Sequence, residues 1–492
     1  MLISQIKPDP NYSERESNSD TETLWSAMSE QKTRRKIDLS VLPLLLLGMT
    51  VFQLDRMNIA SALTGGFGKD IHIDQSTVNL GNQLMFLGII VLEIPSNLIL
   101  QKIGPDKWIP AQVLAFGTIA TFQIFLRNRT GFLVVRSLLG LAEAGYIPAS
   151  LYTLSTWYEK TELAKRVGIF FFGMFGGNAI SPLLGAGILK LDGKHGLKGW
   201  QWIFLIEGIF TITTAILILL LLPQSPSNPR PYLLKAGVIS FSPEDRDILL
   251  TRTSRREGES ESETEIESES PSKTHHSPTY QSNIKKALLN YRRWPHFLLA
   301  PCVFSTWSPL TTYTPTIMMT LGFTRLQSNA LAAIGATLAL PLVFLFSYIS
   351  DRTTKRGLTV IAAVTCYLIV LIVCRCLLPQ VEGKWGKFGI WTVINAFAVC
   401  YHPVHNTWLQ LNSRCSGERS IAIAMWVMAS NAGLMGGSQI FQERDSPMYL
   451  TGLVVMIALV AGALVLAIGQ EVIYLRLNSR ARRMGKGQVY VS

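Results

Sequence analysis

Two charged residues stand side by side inside an apolar run: Asp55 and Arg56 in "LSVLPLLLLGMTVFQLDRMNIASAL", residues 39–63. A charge near the middle of a membrane helix costs about 2.5–3.5 kcal/mol on insertion scales, so it faces a cavity or a partner and is a functional-site candidate. Neighbours on a helix point about 100° apart, so one of the two can face a cavity while the other leans on an adjacent helix. The plainer alternative is a structural ion pair with that helix. Arg136 and Glu143, in "RSLLGLAEAGYIPA", are seven residues apart and return to nearly the same helix face, with Gly140 between them admitting a close neighbour. Arginine suits an anion because its planar fork pairs bidentately with a carboxylate and keeps its charge when buried. Arg136 fits two roles equally, guarding an entrance or anchoring its helix.

Weaker candidates surround these four. Asn178 and Asn431 lie beside glycines and can hydrogen-bond a substrate or simply join helices. Glu93 in "LEIPSN" reads as a structural or gating acid. His402 and His405 in "YHPVHNTW" suggest a metal, but no third ligand stands at suitable spacing, so a satisfied or cavity-lining histidine is the better account and no metal or cofactor is expected. Tyr313, Trp307 and Trp408 suit a pocket for a ring, against the ordinary use of membrane aromatics as packing and interface anchors.

The elements that must position these residues are apolar spans. The 492 residues are 48% hydrophobic and 16% charged, with a mean hydropathy of +0.27, which excludes an ordinary soluble protein. Twelve segments of bilayer length occur, near 39–63, 77–99, 107–126, 131–157, 165–189, 200–222, 295–320, 328–350, 358–378, 386–411, 418–440 and 449–474. The net charge of +12 sits in short clusters between spans without a basic-aromatic module, which argues against nucleic acid. Lys and Arg gather in alternate loops, and the positive-inside rule then puts both termini in the cytosol. Residues 1–38 read as a polar, disordered tail, 223–294 as a largely disordered cytosolic linker containing "TSRREGESESETEIESESPSK", and 475–492 as a basic cytosolic tail. The linker divides the chain into six-helix bundles at 39–222 and 295–474. Its Ser-Glu run reads as a solvated linker rather than a phosphorylation signal. Six cysteines, mostly in apolar runs, form neither a zinc spacing nor a disulfide framework.

The halves repeat. Arg166 precedes Asn178, and Arg419 precedes Asn431, by twelve residues in each case, at an offset of 253; "NLILQKIG" aligns with "SYISDRTTKRG", setting Lys102 against Arg352 at an offset of 250. A duplicated six-helix unit implies alternating access with a site between the halves.

"SYISDRTTKRG", with Asp351 and Arg352, resembles the loop signature of the major facilitator superfamily, with Ser347 in place of the usual glycine; the first copy departs further, having Gln101 and Lys102 where Asp and Arg are usual. "LDRMNIA", "RSLLGLAEAGYIPA" and "ERSIAIAMWVMASNAGLMGGSQIF" resemble its anion:cation symporters, particularly the fungal allantoate and nicotinate permease-like branch, from about Leu39 to Tyr474 apart from the linker. The resemblance implies a twelve-helix, all-α membrane fold in two six-helix bundles, proton coupling at Asp55 and Glu143, and anion binding at Arg56. Asn178, Asn431, Tyr313 and His402 are the further substrate candidates; Arg136, Glu93, Asp351 and Arg352 are the gating or structural ones. The expectation is a monomeric, multi-pass plasma-membrane permease importing a small organic anion with protons. A facilitative carrier or exporter of neutral or cationic molecules and a non-transporting nutrient receptor are the alternatives. No nucleophile-base-acid set suggests an enzyme.

Overall fold

A computed structural model describes residues 28–233, 239–254, 291–412, 416–483, 490 and 491. Among them nine helices are long and apolar enough to cross a membrane. The first three spans are Leu42–Thr64, continuing a helix that begins at Met28, then Gln75–Ile103 and Pro105–Phe122. The fourth is broken into Arg129–Glu143 and Tyr146–Trp157, and Lys160–Ile188 and Gly199–Leu221 complete the first half. The second half consists of Trp294–Thr320, Arg325–Thr353, Arg356–Leu377, a tenth span broken into Lys384–Phe397 and His402–Leu411, then Ser416–Gly437 and Leu450–Arg483. The seventh, tenth and eleventh fall outside the nine. The seventh carries Pro301, Pro309 and Pro315 within one continuous helix, the tenth loses helical geometry before His402–Pro403, and the eleventh counts as a shorter apolar helix, Ile421–Gly437.

The halves meet where the first span packs on the seventh, the second on the eleventh, and the fifth on the eighth. Hydrogen bonds between them cluster at the end opposite the chain termini. Gln75 Nε2 and Asn79 Nδ2 both donate to the Phe441 carbonyl at 3.0 Å, and Asn329 Nδ2 donates to Thr64 Oγ1 at 2.7 Å. Gln439 Nε2 donates to Gln83 Oε1 at 2.9 Å, and Arg325 pairs with Asp192 at 3.1 Å. These contacts hold the halves together at that end.

Two segments expected to lack structure have it. The helix beginning at Met28 takes in the last part of the 1–38 tail, and residues 243–254 of the linker form a helix docked on the first half. Asp245 accepts from Thr33 at 2.7 Å and pairs with Lys36, Arg252 pairs with Glu162, and Phe241 lies 6.4 Å from Trp157, ring to ring. Charge pairing across chain-distant segments fixes this helix, which composition alone does not reveal. Burial opposes ionisation of Asp245, but Lys36, Thr33 and Ser242 together outweigh it and bring its carboxyl down to about 2. Residues 1–27 and the Ser-Glu run lie outside the described residues.

Candidate functional site

Between the halves lies a cavity of about 770 Å³, adjoined by a second chamber of about 500 Å³ that shares Met57, Trp307 and Thr311 with it. Its walls repeat at the offset of the two halves: Gln53, Arg56 and Met57 of the first span face it, and so do Phe304, Trp307 and Ser308 of the seventh, 251 positions on. Ile147 and His402 both line it just after the breaks of the fourth and tenth spans, within "YIP" and "YHP". The symmetry stops at chemistry. Arg56 is the charged residue of the wall among the described residues, whereas Phe304, Trp307, Trp426 and His402 make the opposite side aromatic.

Arg56 is held rigidly. Its Nε donates to Glu143 Oε2 at 2.7 Å, and its guanidinium carbon stands 4.1 Å from the Phe52 ring centroid, so its outer edge remains for a ligand. Glu143 is the last helical residue before the break of the fourth span. At that break Gly145 has φ +82°, and a Cβ there would come within 2.3 Å of Ser96 Oγ, so only glycine fits. Glu93 Oε2 accepts from the Gly145 amide at 3.1 Å and Gln112 Nε2 donates to the Ala144 carbonyl at 2.6 Å, satisfying backbone groups that the break leaves open. Glu93 thus supports the break that ends Glu143's helix.

Behind Arg56 lies a fully enclosed set of charges. Asp55 and Arg136 are 0% exposed, and Asp55 interacts electrostatically with Glu143, Arg136 and Glu207. Thr211 is the hydroxyl neighbour of Asp55, whereas among the described residues neither oxygen of Glu207 has a hydrogen-bond partner; Arg136 reaches Met85 Sδ at 3.6 Å and leaves Nε and Nη2 without one. The close approach at Gly140 occurs, for a Cβ there would lie 2.0 Å from the Met85 carbonyl oxygen. Among the described residues Glu143 faces Arg56 and Arg136, Asp55 faces Arg136, Glu93 faces Arg56, and Glu207 neighbours Asp55, so four acids stand beside two bases. Glu207 escaped the sequence analysis, although the criterion that selected Asp55, an acid in the middle of an apolar span, applies equally to "WIFLIEGIF".

The remaining candidates separate. Asn431 and His402 line the larger cavity, the latter with an unpartnered Nδ1, and Asn178 lines the smaller one while accepting from Gln53 at 2.7 Å. Tyr313 is not on the cavity wall; its hydroxyl donates to Asn79 Oδ1 in the closed seam between the halves. Trp307 faces the cavity, whereas Trp408 is packed at the termini end. Asp351 and Arg352 are exposed, with Asp351 paired to Arg356.

Comparison with known proteins agrees with this architecture. An uncharacterized transporter of Saccharomyces cerevisiae is 26% identical over 465 residues, covering 94% of this chain and 83% of that protein. A putative tartrate transporter of Agrobacterium vitis is 30% identical over 351 residues, covering 70% and 72%. The fold matches a bacterial homologue of the human lysosomal transporter Spinster in its inward-facing, unoccupied form, with TM-score 0.64 and 15% identity over 89% of this chain and 97% of the other. A D-xylose–proton symporter matches at TM-score 0.64 and 14% identity over 88% and 97%. The family profile described as Major Facilitator Superfamily matches residues 45–438. This chain, a multi-pass membrane transporter and not an enzyme, belongs to the Major Facilitator Superfamily.

Proposed function

We propose that the protein imports a small organic anion together with protons by alternating access across the plasma membrane, its termini in the cytosol. The observation that carries this reading is Arg56, a cavity cation whose inner edge is held by a buried acid while its outer edge is free. Uptake of one negative charge against about 100 mV, inside negative, costs about 2.3 kcal/mol. A proton carried with it cancels that charge, and each pH unit of gradient then contributes about 1.36 kcal/mol. The excess of buried acids over bases supplies groups able to hold the proton. Arg56 fits a single carboxylate, and the aromatic wall opposite fits a ring or apolar body; the resemblance to a putative tartrate transporter supports a carboxylate.

The test is uptake of labelled organic anions, tartrate among them, into proteoliposomes with an imposed pH gradient. Gradient-driven accumulation of a carboxylate is the expected result. Accumulation of neutral or cationic compounds alone supports the carrier or exporter alternative, and binding without accumulation supports a receptor.

A further inference from the structure

At the termini end of the second half, residues 490 and 491 lie in a built site. Asn478 grips the backbone of Tyr490 from both sides, its Nδ2 donating to the carbonyl at 2.8 Å and its Oδ1 accepting from the amide at 2.9 Å. Asn412 does the same for Val491, at 3.0 and 2.8 Å, and Trp408 Nε1 adds a third bond to the Val491 carbonyl at 2.9 Å. The Tyr490 ring stacks on Tyr474 with centroids 5.0 Å apart and planes 9° from parallel, and Tyr490 is 7% exposed. Two side-chain amides pairing with consecutive backbone units recognise extended chain, and the stack selects an aromatic residue.

The site is tied to the cavity. The short helix His402–Leu411 carries His402, a cavity-wall residue, at one end, and Asn412 follows the other, roughly 15 Å away at 1.5 Å per residue. Midway, Trp426 Nε1, on the cavity wall and able only to donate, donates to His405 Nδ1 at 3.1 Å. His405 must then carry its proton on Nε2 and donate to His296 Nδ1 at 3.0 Å, so that His296 Nε2 donates to Tyr474 at 3.1 Å, the ring on which Tyr490 stacks. Because the tenth span is broken between Phe397 and His402, this helix is separable from the rest of its span.

We propose that Asn412, Asn478, Trp408 and Tyr474 form a docking site for the chain's own Tyr490–Val491 segment, and that its occupancy holds helix His402–Leu411 against the twelfth span and keeps the cavity open on the termini side. His402, at the head of that helix, already meets the Phe171 and Phe175 rings of the opposite half edge-on at 5.9 Å, and undocking frees the rest of the helix to turn about that contact and close on the cavity. The transport consequence rests on the alternating-access reading; the docking does not.

The experiment uses the chain ended at Val489, in detergent, with a labelled synthetic peptide of residues 487–492 as probe. Saturable binding is expected, weakened at least tenfold by Asn412→Ala or Asn478→Ala in the shortened chain, and much weaker in the full chain, whose site is filled. No saturable binding, or binding indifferent to both substitutions, overturns the proposal. Coupling is read without a substrate. With Ser430→Cys on the cavity wall, mass spectrometry follows its alkylation by a water-soluble maleimide. Shortening the chain should slow the reaction fivefold or more, and saturating peptide should restore the full-chain rate. An unchanged or faster rate overturns the coupling. Failure of the uptake screen together with success here would reject the anion-import reading and leave the docking site standing.

Discussion

Glu143→Gln separates anion binding from proton coupling, and its size follows from the geometry at Arg56. The glutamate occupies the inner edge of the guanidinium, 2.7 Å from Nε, and an anion would occupy the outer edge. Two carboxylates on opposite edges of one guanidinium stand roughly 6 Å apart, and at an effective dielectric constant of about 20 their repulsion is about 3 kcal/mol. Protonating Glu143 removes that repulsion, which corresponds to roughly a hundredfold in affinity, and by linkage the bound anion favours the proton by the same factor. An amide is neutral and similar in shape, so Glu143→Gln should bind the transported carboxylate with the tighter affinity and lose most of the pH dependence of binding. Accumulation driven by an acid exterior should be lost, because no proton leaves this site on the inward face, while exchange of labelled for unlabelled substrate should survive. The assay is binding between pH 5 and 8 beside proteoliposome uptake with a gradient and counterflow without one. Accumulation at the normal rate, or an undiminished pH dependence of affinity, would refute Glu143 as the coupling acid; loss of counterflow as well would assign it a binding or folding role. Asp55→Asn should give the same phenotype if the two acids share the proton, whose titration then belongs to the pair.

Arg56→Lys keeps the charge but not the planar fork, so substrate affinity should fall more than surface expression; normal uptake in both Arg56→Lys and Arg56→Ala would remove Arg56 from the anion site. Deleting residues 255–278 should leave uptake per folded molecule nearly unchanged, since shortening a loop changes its closure entropy little and the docked helix 243–254 is retained, as a fluorescence size-exclusion profile and uptake rate would report. Asp245, held near 2 against an ordinary 3.8, contributes about 2 kcal/mol above the ordinary value, and this is lost as pH falls through about 2; hydrogen exchange of 243–254, corrected for intrinsic rates, should therefore rise between pH 4 and 2. Gly140→Ala should lower the melting temperature by a shift equivalent to about 1–3 kcal/mol or more, because its methyl meets the Met85 backbone oxygen rather than a side chain that can turn away.

Much of this arrangement was legible because a membrane punishes exceptions. An ionised group in an apolar run is expensive enough to mark itself, and Asp55, Arg56, Arg136 and Glu143 were found that way; all but Arg56 are enclosed within the first half. Most span boundaries fell within a few residues of the helices because a 30 Å core needs about twenty apolar residues whatever the tertiary contacts, but the first helix begins at Met28 rather than 39 and the twelfth runs to Arg483 rather than 474, since a helix continues past the apolar run. What stayed hidden depends on contacts between distant segments. The break at Ala144–Gly145 has a glycine and a following proline to signal it, but that Glu93 and Gln112 satisfy it is visible only once the second and third spans pack there. Tyr313 carries no local sign of whether it faces a cavity or Asn79, since one helix turn decides. The docked helix 243–254 reads as polar linker because most of what holds it is pairing with Lys36 and Glu162, with Leu249 and the preceding Phe241 too few to make an apolar stripe.

The seam that closes the far end is chemically suited to opening. Among the described residues it is held by amide and hydroxyl hydrogen bonds from Gln75, Asn79, Gln83, Tyr313, Asn329 and Gln439, with one ion pair, Asp192–Arg325, whose side chains are about 40% exposed. Each such neutral bond contributes about 0.5–1.5 kcal/mol net, because water replaces it when it breaks, and an exposed pair contributes about 0–1 kcal/mol. A closure of this kind is worth several kcal/mol in total and loses it in small, separately reversible steps. An interface of interdigitated leucines and phenylalanines over the same area would have to expose all its apolar surface to water at once. Most charges of the proposed chemistry sit elsewhere: Asp55, Arg136, Glu143 and Glu207 are buried inside the first half, and Arg56 alone reaches the cavity wall between the halves. On the alternating-access reading the division is physical: the enclosed acids and Arg136 remain within one bundle, and the surface that must part and rejoin is held mostly by groups that water can satisfy.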